Sequence, residues 1–189
     1  MRLTAKADSS AAVQELLDVW DGRVREVVGD VVFGVDGDTM ESVVLDLLRS
    51  RGFTLGLAES VTGGLVAGRL TNVAGASDVL RGSVVSYASE VKFDVLGVTP
   101  GPVVNEAVAV EMALGAKRVL GADVGLALTG VAGPTDQDGV KPGTLCVGLA
   151  MPDGSTQSRT LQLPGVRDQM RQLSVISALD FLRRAIAEK

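Results

Sequence analysis

The sequence predicts an α/β fold: a three-layer sandwich around a mixed, mostly parallel sheet, preceded by a short strand-helix-strand appendage. Three observations carry that expectation. Apolar runs of strand length alternate with amphipathic runs of helical length along residues 39–189, the pattern of a sheet covered by helices on both faces. The run GTLCVGLAMPDGSTQSRTLQL holds two strand-like stretches about the turn signal PDGS, so part of the sheet is an antiparallel hairpin. Finally, 189 residues that are 46% hydrophobic but only 3% aromatic can bury one core of Val, Leu and Ala, whereas the first 38 are too few to build a robust core alone.

Each element has its own signal. Residues 2–7, RLTAKA, alternate as a strand. AAVQELLDVWDGRVREVVG sets Val13, Leu16, Leu17, Trp20, Val24, Val27 and Val28 at helical spacing behind the cap Asp8-Ser9. VVFGV, 31–35, reads as a second strand closed by the turn DGD. Residues 1–38 therefore form the appendage and 39–189 the main domain. There Thr39 caps a helix through Arg51 whose buried stripe is Met40, Val43, Val44, Leu47 and Leu48. FTLGLAES is the first core strand, GLVAGRLTNV a helix, GSVVSYA (82–88) the second strand and EVKFDVLGV a short helix or loop. NEAVAVEMALGAKRVLG is a helix ending at Gly121, and DVGLALTGVAG is a third strand entering a glycine-rich loop. VRDQMRQLSVISALDFLRRAIAE closes the chain as a helix, with Leu173, Ile176, Ser177, Leu179, Leu182 and Ile186 on or near one face.

Composition narrows the function. Eighteen basic and 23 acidic side chains leave a net charge of -5, interspersed along the chain, with no basic stripe and no stacking aromatic series. Nucleic acid is not an expected partner. The start MRLTAKADSS lacks the apolar core of a secretory signal, and no apolar run is long enough to span a bilayer, so the expectation is a cytoplasmic protein without membrane contact. The one cysteine, Cys146, lies in an apolar run and reads as a small core residue. There is no histidine at all, which excludes Ser-His-Asp and Cys-His catalysis. Any hydrolysis must draw its base from lysine, a carboxylate or tyrosine.

LGLAESVTGGLVAG, residues 55–68, takes an apolar strand through one serine and two glycines into a helix. Ser60 is either a nucleophile displayed at a strand end or, like Thr62, a polar cap of the helix; Gly63 and Gly64 either admit a ligand or only let helix pack on sheet. The spacing does not match a G-x-S-x-G nucleophile elbow. In a parallel α/β sheet the C-terminal strand ends share one crevice, which would gather Ser60, Tyr87, Lys92 and Thr129. A partly buried lysine loses its proton more readily and can serve a serine as base; the bland readings are a solvated Lys92 and a Tyr87 with its hydroxyl in water. TGVAGPTDQDGVKPGT, 129–144, has the length of a binding loop. Its Asp136 and Asp138 are either ligands for a divalent ion or ordinary turn residues, and the latter is the simpler expectation. Arg167, at the start of the last helix, is a candidate phosphate or carboxylate clamp or a surface arginine.

These motifs, AESVTGGLVAGRLTNVAGASDVLRGSVVSYASEVKFDVLGV, LALTGVAGP, KPGTLCVGLAMPDG and LPGVRD, together resemble the C-terminal domain of the CinA proteins, from about residue 39 to 187. The first 38 residues are similar to the segment joining that domain to the upstream part of full-length members. The resemblance implies hydrolysis of the carboxamide of nicotinamide mononucleotide to nicotinate mononucleotide and ammonia, in pyridine nucleotide salvage. It implies Ser60, Tyr87 and Lys92 as the catalytic group, with N-H groups from Val61, Thr62, Gly63 and Gly64 around the oxyanion. Thr129, Gly130, Gly133 and Arg167 would hold the ribose phosphate. The scheme requires no metal and no organic cofactor, and family members commonly associate, so a homo-oligomer is expected. The alternative is a weak or inactive interaction domain linked to competence or DNA damage, with the appendage as its docking module. Two departures stand out: Val61 replaces a frequent cysteine beside the nucleophile, and TDQDGV replaces a glycine-rich stretch, putting phosphate contacts from 135–140 in question.

Overall fold

Large and small side chains alternate along three adjacent strands, and this alternation determines how the sheet is covered. The computed structural model describes residues 1–187, without the side chain of Asp30. It divides into two units, Met1–Thr39 and Met40–Lys189. In the second unit five strands, β1 (Leu55–Glu59), β2 (Leu80–Val85), β3 (Val124–Gly130), β4 (Thr144–Ala150) and β5 (Thr156–Gln162), form one sheet in the order β2-β1-β3-β4-β5. β1 is parallel to both β2 and β3, and β4 runs antiparallel to β3 and β5. Four strands therefore point one way and β4 the other, the mixed α/β sheet expected.

On one face Leu55 and Leu57 lie beside Val124 and Leu126, and Leu126 and Leu128 beside Leu149 and Val147. This face packs against α2 (Met40–Arg51), α3 (Leu65–Thr71) and α6 (Arg167–Ala187) through Leu45, Leu48, Val66, Val175, Leu179 and Leu182. All of these are fully buried. Each such side chain contributes roughly 1.5–3 kcal/mol by leaving water.

The opposite face carries Gly56, Ala58, Gly125, Ala127, Cys146, Gly148 and Ala150. Their small size brings the backbone of α5 (Glu106–Leu120) down onto the sheet. A Cβ at Gly148 would run into the Ala109 carbonyl, and one at Gly125 into the Ala113 carbonyl. One at Gly56 would stand 3.1 Å from the Ala116 carbonyl. α5 starts on an Asn105 cap, whose side-chain Oδ1 accepts the Val108 N-H at 2.9 Å, and stops at left-handed Gly121. Outside it the segment after α4 (Ser89–Asp94) adds Leu96 and Val98.

The first unit differs from expectation. It contains α1 (Ser10–Val28), capped by the Ser9 hydroxyl oxygen, which accepts the Ala12 N-H at 3.2 Å, and ended at Gly29 with φ 55°. Neither RLTAKA nor VVFGV is a strand: residues 2–7 are irregular, and a short 3-10 turn, Gly29–Val31, leads into the tight bend at 35–38. Alternation gives a segment only a preference for extended backbone, and a strand exists where a ladder partner takes its N-H and C=O groups. Among the described residues neither segment has one. No residue of α1 is buried, and Trp20 is exposed beneath the Arg23 guanidinium, 4.8 Å from its ring centroid.

Helix faces also shifted. Leu173 and Ile176 of α6 are exposed, while Met170, Ser174 and Ala178 are buried beside Leu179, Leu182 and Ile186. The last residue expected in that helix, Glu188, lies outside the described residues. In α2 the buried positions are Met40, Glu41, Val44, Leu45 and Leu48, with Val43 and Leu47 half-buried. No helix of the described residues is long and apolar enough to cross a membrane.

Candidate active site

The parallel strands β1, β2 and β3 deliver their C-terminal ends to one crevice, as strand polarity requires. It is a cleft of about 320 Å³ whose lining includes Ser60, Val61, Tyr87, Lys92, Thr129, Gly130, Gly133 and Arg167. That volume is near the lower end, roughly 300 Å³, of small-ligand pockets. Apolar wall comes from Val103 and Val104, just before α5. Thr62, Gly63 and Gly64 are not part of the lining.

The Thr62 hydroxyl and the N-H groups of Gly63 and Gly64 are engaged elsewhere. Glu59, the last residue of β1, is fully buried, and its carboxylate occupies the start of α3. One oxygen accepts the Thr62 hydroxyl at 2.8 Å and the N-H groups of Gly64 and Val66 at 3.0 Å. The other accepts the Ala67 N-H and the Ser83 hydroxyl, both at 3.0 Å. The donors that a helix leaves free at its N-terminus are thus satisfied by a side chain from inside the protein. Neither Ser60 nor Thr62 caps the helix: Thr62 donates to the carboxylate that does. The capping reading of both residues is corrected accordingly.

Ser60 starts the turn between β1 and α3. Its N-H donates to the Leu128 carbonyl at 3.0 Å, and its own carbonyl accepts the Gly63 N-H at 3.1 Å. Among the described residues, its hydroxyl and the N-H groups of Val61 and Thr62 have no hydrogen-bond partner.

Lys92, on α4, is the bulkiest fully buried side chain among the described residues, with 1% of its surface exposed. Its Nζ donates to the Ser86 carbonyl at 2.7 Å. A lysine ammonium carries three N-H donors, so one protein acceptor serves it poorly. Burial pushes its pKa down from the ordinary 10.5, partly offset by the nearby Glu90 carboxylate. Tyr87, two residues past β2, is exposed, and its hydroxyl oxygen accepts from Arg167 Nη2 at 2.7 Å. Arg167 Nη1 donates to the Gly133 carbonyl at 2.8 Å, tying the first turn of α6 to the loop after β3. Thr129 is buried and donates its hydroxyl to the Val103 carbonyl at 2.8 Å.

The loop between β3 and β4 is pinned by paired backbone bonds between Gln137 and Val140, at 3.1 and 2.8 Å. Asp136 and Asp138 are exposed, and Asp138 adopts φ 51°, a turn conformation. Among the described residues no group of three or more acidic, cysteine or histidine side chains is arranged to hold a metal ion.

Two residues of this architecture were not read from the sequence. Glu59 had a signal, a carboxylate ending an otherwise apolar strand immediately before S-V-T-G-G. Arg171 had a weaker one, standing four residues after Arg167 on the same helix face. Its Nε donates to the Val61 carbonyl at 3.2 Å and its Nη2 to the Thr62 carbonyl at 2.7 Å.

Comparison with known proteins places this cleft in a family. The model of the CinA C-terminal domain matches residues 37–186. The chain belongs to the CinA C-terminal domain family. A CinA-like protein of Frankia casuarinae is 47% identical over 192 residues, covering 99% of this chain and 44% of that one. One from Kosmotoga olearia is 39% identical, covering 98% of this chain and 46% of that protein. The chain thus spans about half the length of the curated relatives it matches. Among solved structures, a CinA superfamily protein of Klebsiella pneumoniae superimposes with a TM-score of 0.76 at 28% identity, over 80% of this chain and all of that one. A competence/damage-inducible protein of Agrobacterium tumefaciens gives 0.72 at 29%, over 82% of this chain and 99% of that one. The chain therefore shares the CinA fold over about four-fifths of its length.

Proposed function

We propose that the cleft hydrolyses a small carboxamide, nicotinamide mononucleotide, to nicotinate mononucleotide and ammonia. The observation that carries the proposal is a lysine held almost wholly out of water, with a single protein acceptor, in the lining of a cleft that also contains an unpartnered serine hydroxyl. Desolvation gives Lys92 a larger neutral fraction than an ordinary lysine, and a neutral amine is the base that a histidine-free serine hydrolase needs.

The steps balance as an acyl transfer. Ser60 Oγ attacks the carboxamide carbon while its proton passes to Lys92 Nζ. The N-H groups of Val61 and Thr62 are the donors left for the oxyanion, since those of Gly63 and Gly64 are engaged within the turn. Collapse breaks the C-N bond, and the departing nitrogen takes the Lys92 proton, with Tyr87 relaying it. Water then attacks the ester and gives a proton to Lys92, which returns it to the Ser60 oxygen as the C-O bond breaks, and the product acid ionises to the carboxylate. Arg167 and the backbone of Gly130–Gly133 supply local groups for the ribose phosphate that the acidic net charge does not.

Ammonia release from nicotinamide mononucleotide, measured for the wild type, Ser60→Ala and Lys92→Ala, tests the reading. Both variants are expected to lose turnover by at least about 10²-fold. Undiminished turnover by Ser60→Ala removes the nucleophile. No turnover by the wild type favours the second reading, a docking module, for which the support is α1 with its exposed Leu16, Val19 and Trp20.

A further inference from the structure

Three peptide planes follow Ser60, and each is held differently. In a trans peptide the C=O and N-H point in opposite directions, so anchoring one fixes the other. The plane between Ser60 and Val61, which carries the Val61 N-H, is held by the Gly63 N-H donating to the Ser60 carbonyl. The plane between Val61 and Thr62, which carries the Thr62 N-H, is held at its carbonyl by Arg171 Nε. The plane between Thr62 and Gly63 is held by Arg171 Nη2 at 2.7 Å and by the longer 3.4 Å bond from the Leu65 N-H. Arg171 reaches the turn from α6, more than a hundred residues away in sequence. Gly63 suits the turn by its φ of 60°, which disfavours any side chain, and a Cβ there would just touch Nη2, at 3.4 Å. Glu59, at the end of β1, secures the same turn through Thr62 and Gly64.

We infer that Arg171 is a positioning residue for amide hydrolysis: by gripping the Val61 and Thr62 carbonyls it fixes the turn, including the Gly63 N-H that anchors the Ser60 carbonyl, and so sets the free Val61 N-H beside the cleft for the oxyanion. The inference rests on the proposed amide hydrolysis. Arg171 is absent from the cleft lining and makes no substrate contact; it acts through the backbone it holds. Its planar fork suits two neighbouring carbonyls, a task that a lysine's single ammonium reproduces only in part.

The test combines steady-state kinetics with two ligands. kcat and KM for nicotinamide mononucleotide are measured for the wild type, Arg171→Ala and Arg171→Lys. Binding is measured for nicotinate mononucleotide and for the nucleotide bearing a 3-aldehyde, whose hemiacetal with Ser60 presents an oxyanion. Misplacing an oxyanion donor costs on the order of 10²-fold or more in kcat. Arg171→Ala is expected to lose about that factor in kcat with KM nearly unchanged, to bind the aldehyde proportionately less tightly, and to bind the product as before. Arg171→Lys should recover part of the loss, and it shows the same split if Arg171→Ala does not fold. Unchanged kcat, a loss confined to KM, or product and aldehyde binding falling together overturns the inference. A wild type that neither turns over the amide nor binds the aldehyde removes the hydrolysis reading itself, whereas failure of the inference alone leaves wild-type turnover intact.

Discussion

Lys92 has one close acceptor, a neighbouring carboxylate that favours its proton and a burial that opposes it, so its titration is a direct probe of the site. As the proposed general base it would work unprotonated, and kcat/KM should rise with pH as the ammonium is lost, through a midpoint below the ordinary 10.5. Replacing Glu90 with glutamine removes the charge that favours the proton, and the rising limb is expected to move to lower pH. A pH profile that stays in place or moves upward would remove Lys92 as the base. The same depressed pKa has a stability consequence of definite sign. Between the folded and unfolded pKa values the unfolded chain binds more protons, so stability rises with pH across that window, and the cost of the buried ammonium is full below it. How much of the site was legible follows from the same residues. Ser60, Tyr87 and Lys92 could be gathered from strand polarity and the missing histidine. Arg171 could not, because its contacts are with carbonyls distant in sequence that any residue type would supply. Whether Ser60 capped a helix was undecidable without seeing that Glu59 already filled that position.

The contact between α5 and the sheet depends on small residues rather than large ones. Gly125→Ala puts a methyl group where the Ala113 carbonyl lies, and the helix must move away from β3. Overpacking of this kind costs about 1–3 kcal/mol or more. A chemical denaturation midpoint lowered accordingly is expected, together with reduced turnover, since Val103 and Val104 reach the cleft from the segment that starts α5. A midpoint equal to the wild type would show that α5 is not seated by its backbone. The hairpin and the buried strands were legible because each had a turn signal or an unbroken apolar run. The buried face of α6 was misjudged because hydrophobicity weighs leucine above serine and alanine. Close packing reverses that order at Ser174 and Ala178, which are buried, and at Leu173, which is exposed. RLTAKA and VVFGV failed for a different reason, since pattern alone supplies no partner strand.

At the scale of the molecule, every residue of the two hydrophobic clusters and of the cleft lies in Met40–Lys189. A chain of residues 37–189, which keeps Thr39 ahead of α2, is therefore expected to fold with the denaturation midpoint of the parent and to turn over substrate at the parent rate. Loss of the proposed activity on trimming, with the fold retained, would make Met1–Thr39 part of the functional unit. The placement of the aromatics makes each unit separately visible. The only tryptophan, Trp20, sits in α1, and the only tyrosine, Tyr87, lines the cleft with its hydroxyl bound to Arg167. Excitation at the red edge of the absorption band, where tyrosine is dark, reports α1 alone, while the phenol's ultraviolet difference spectrum reports occupancy of the cleft. Events in the two units can thus be read by colour in the unmodified protein, without a label and without a second mutation.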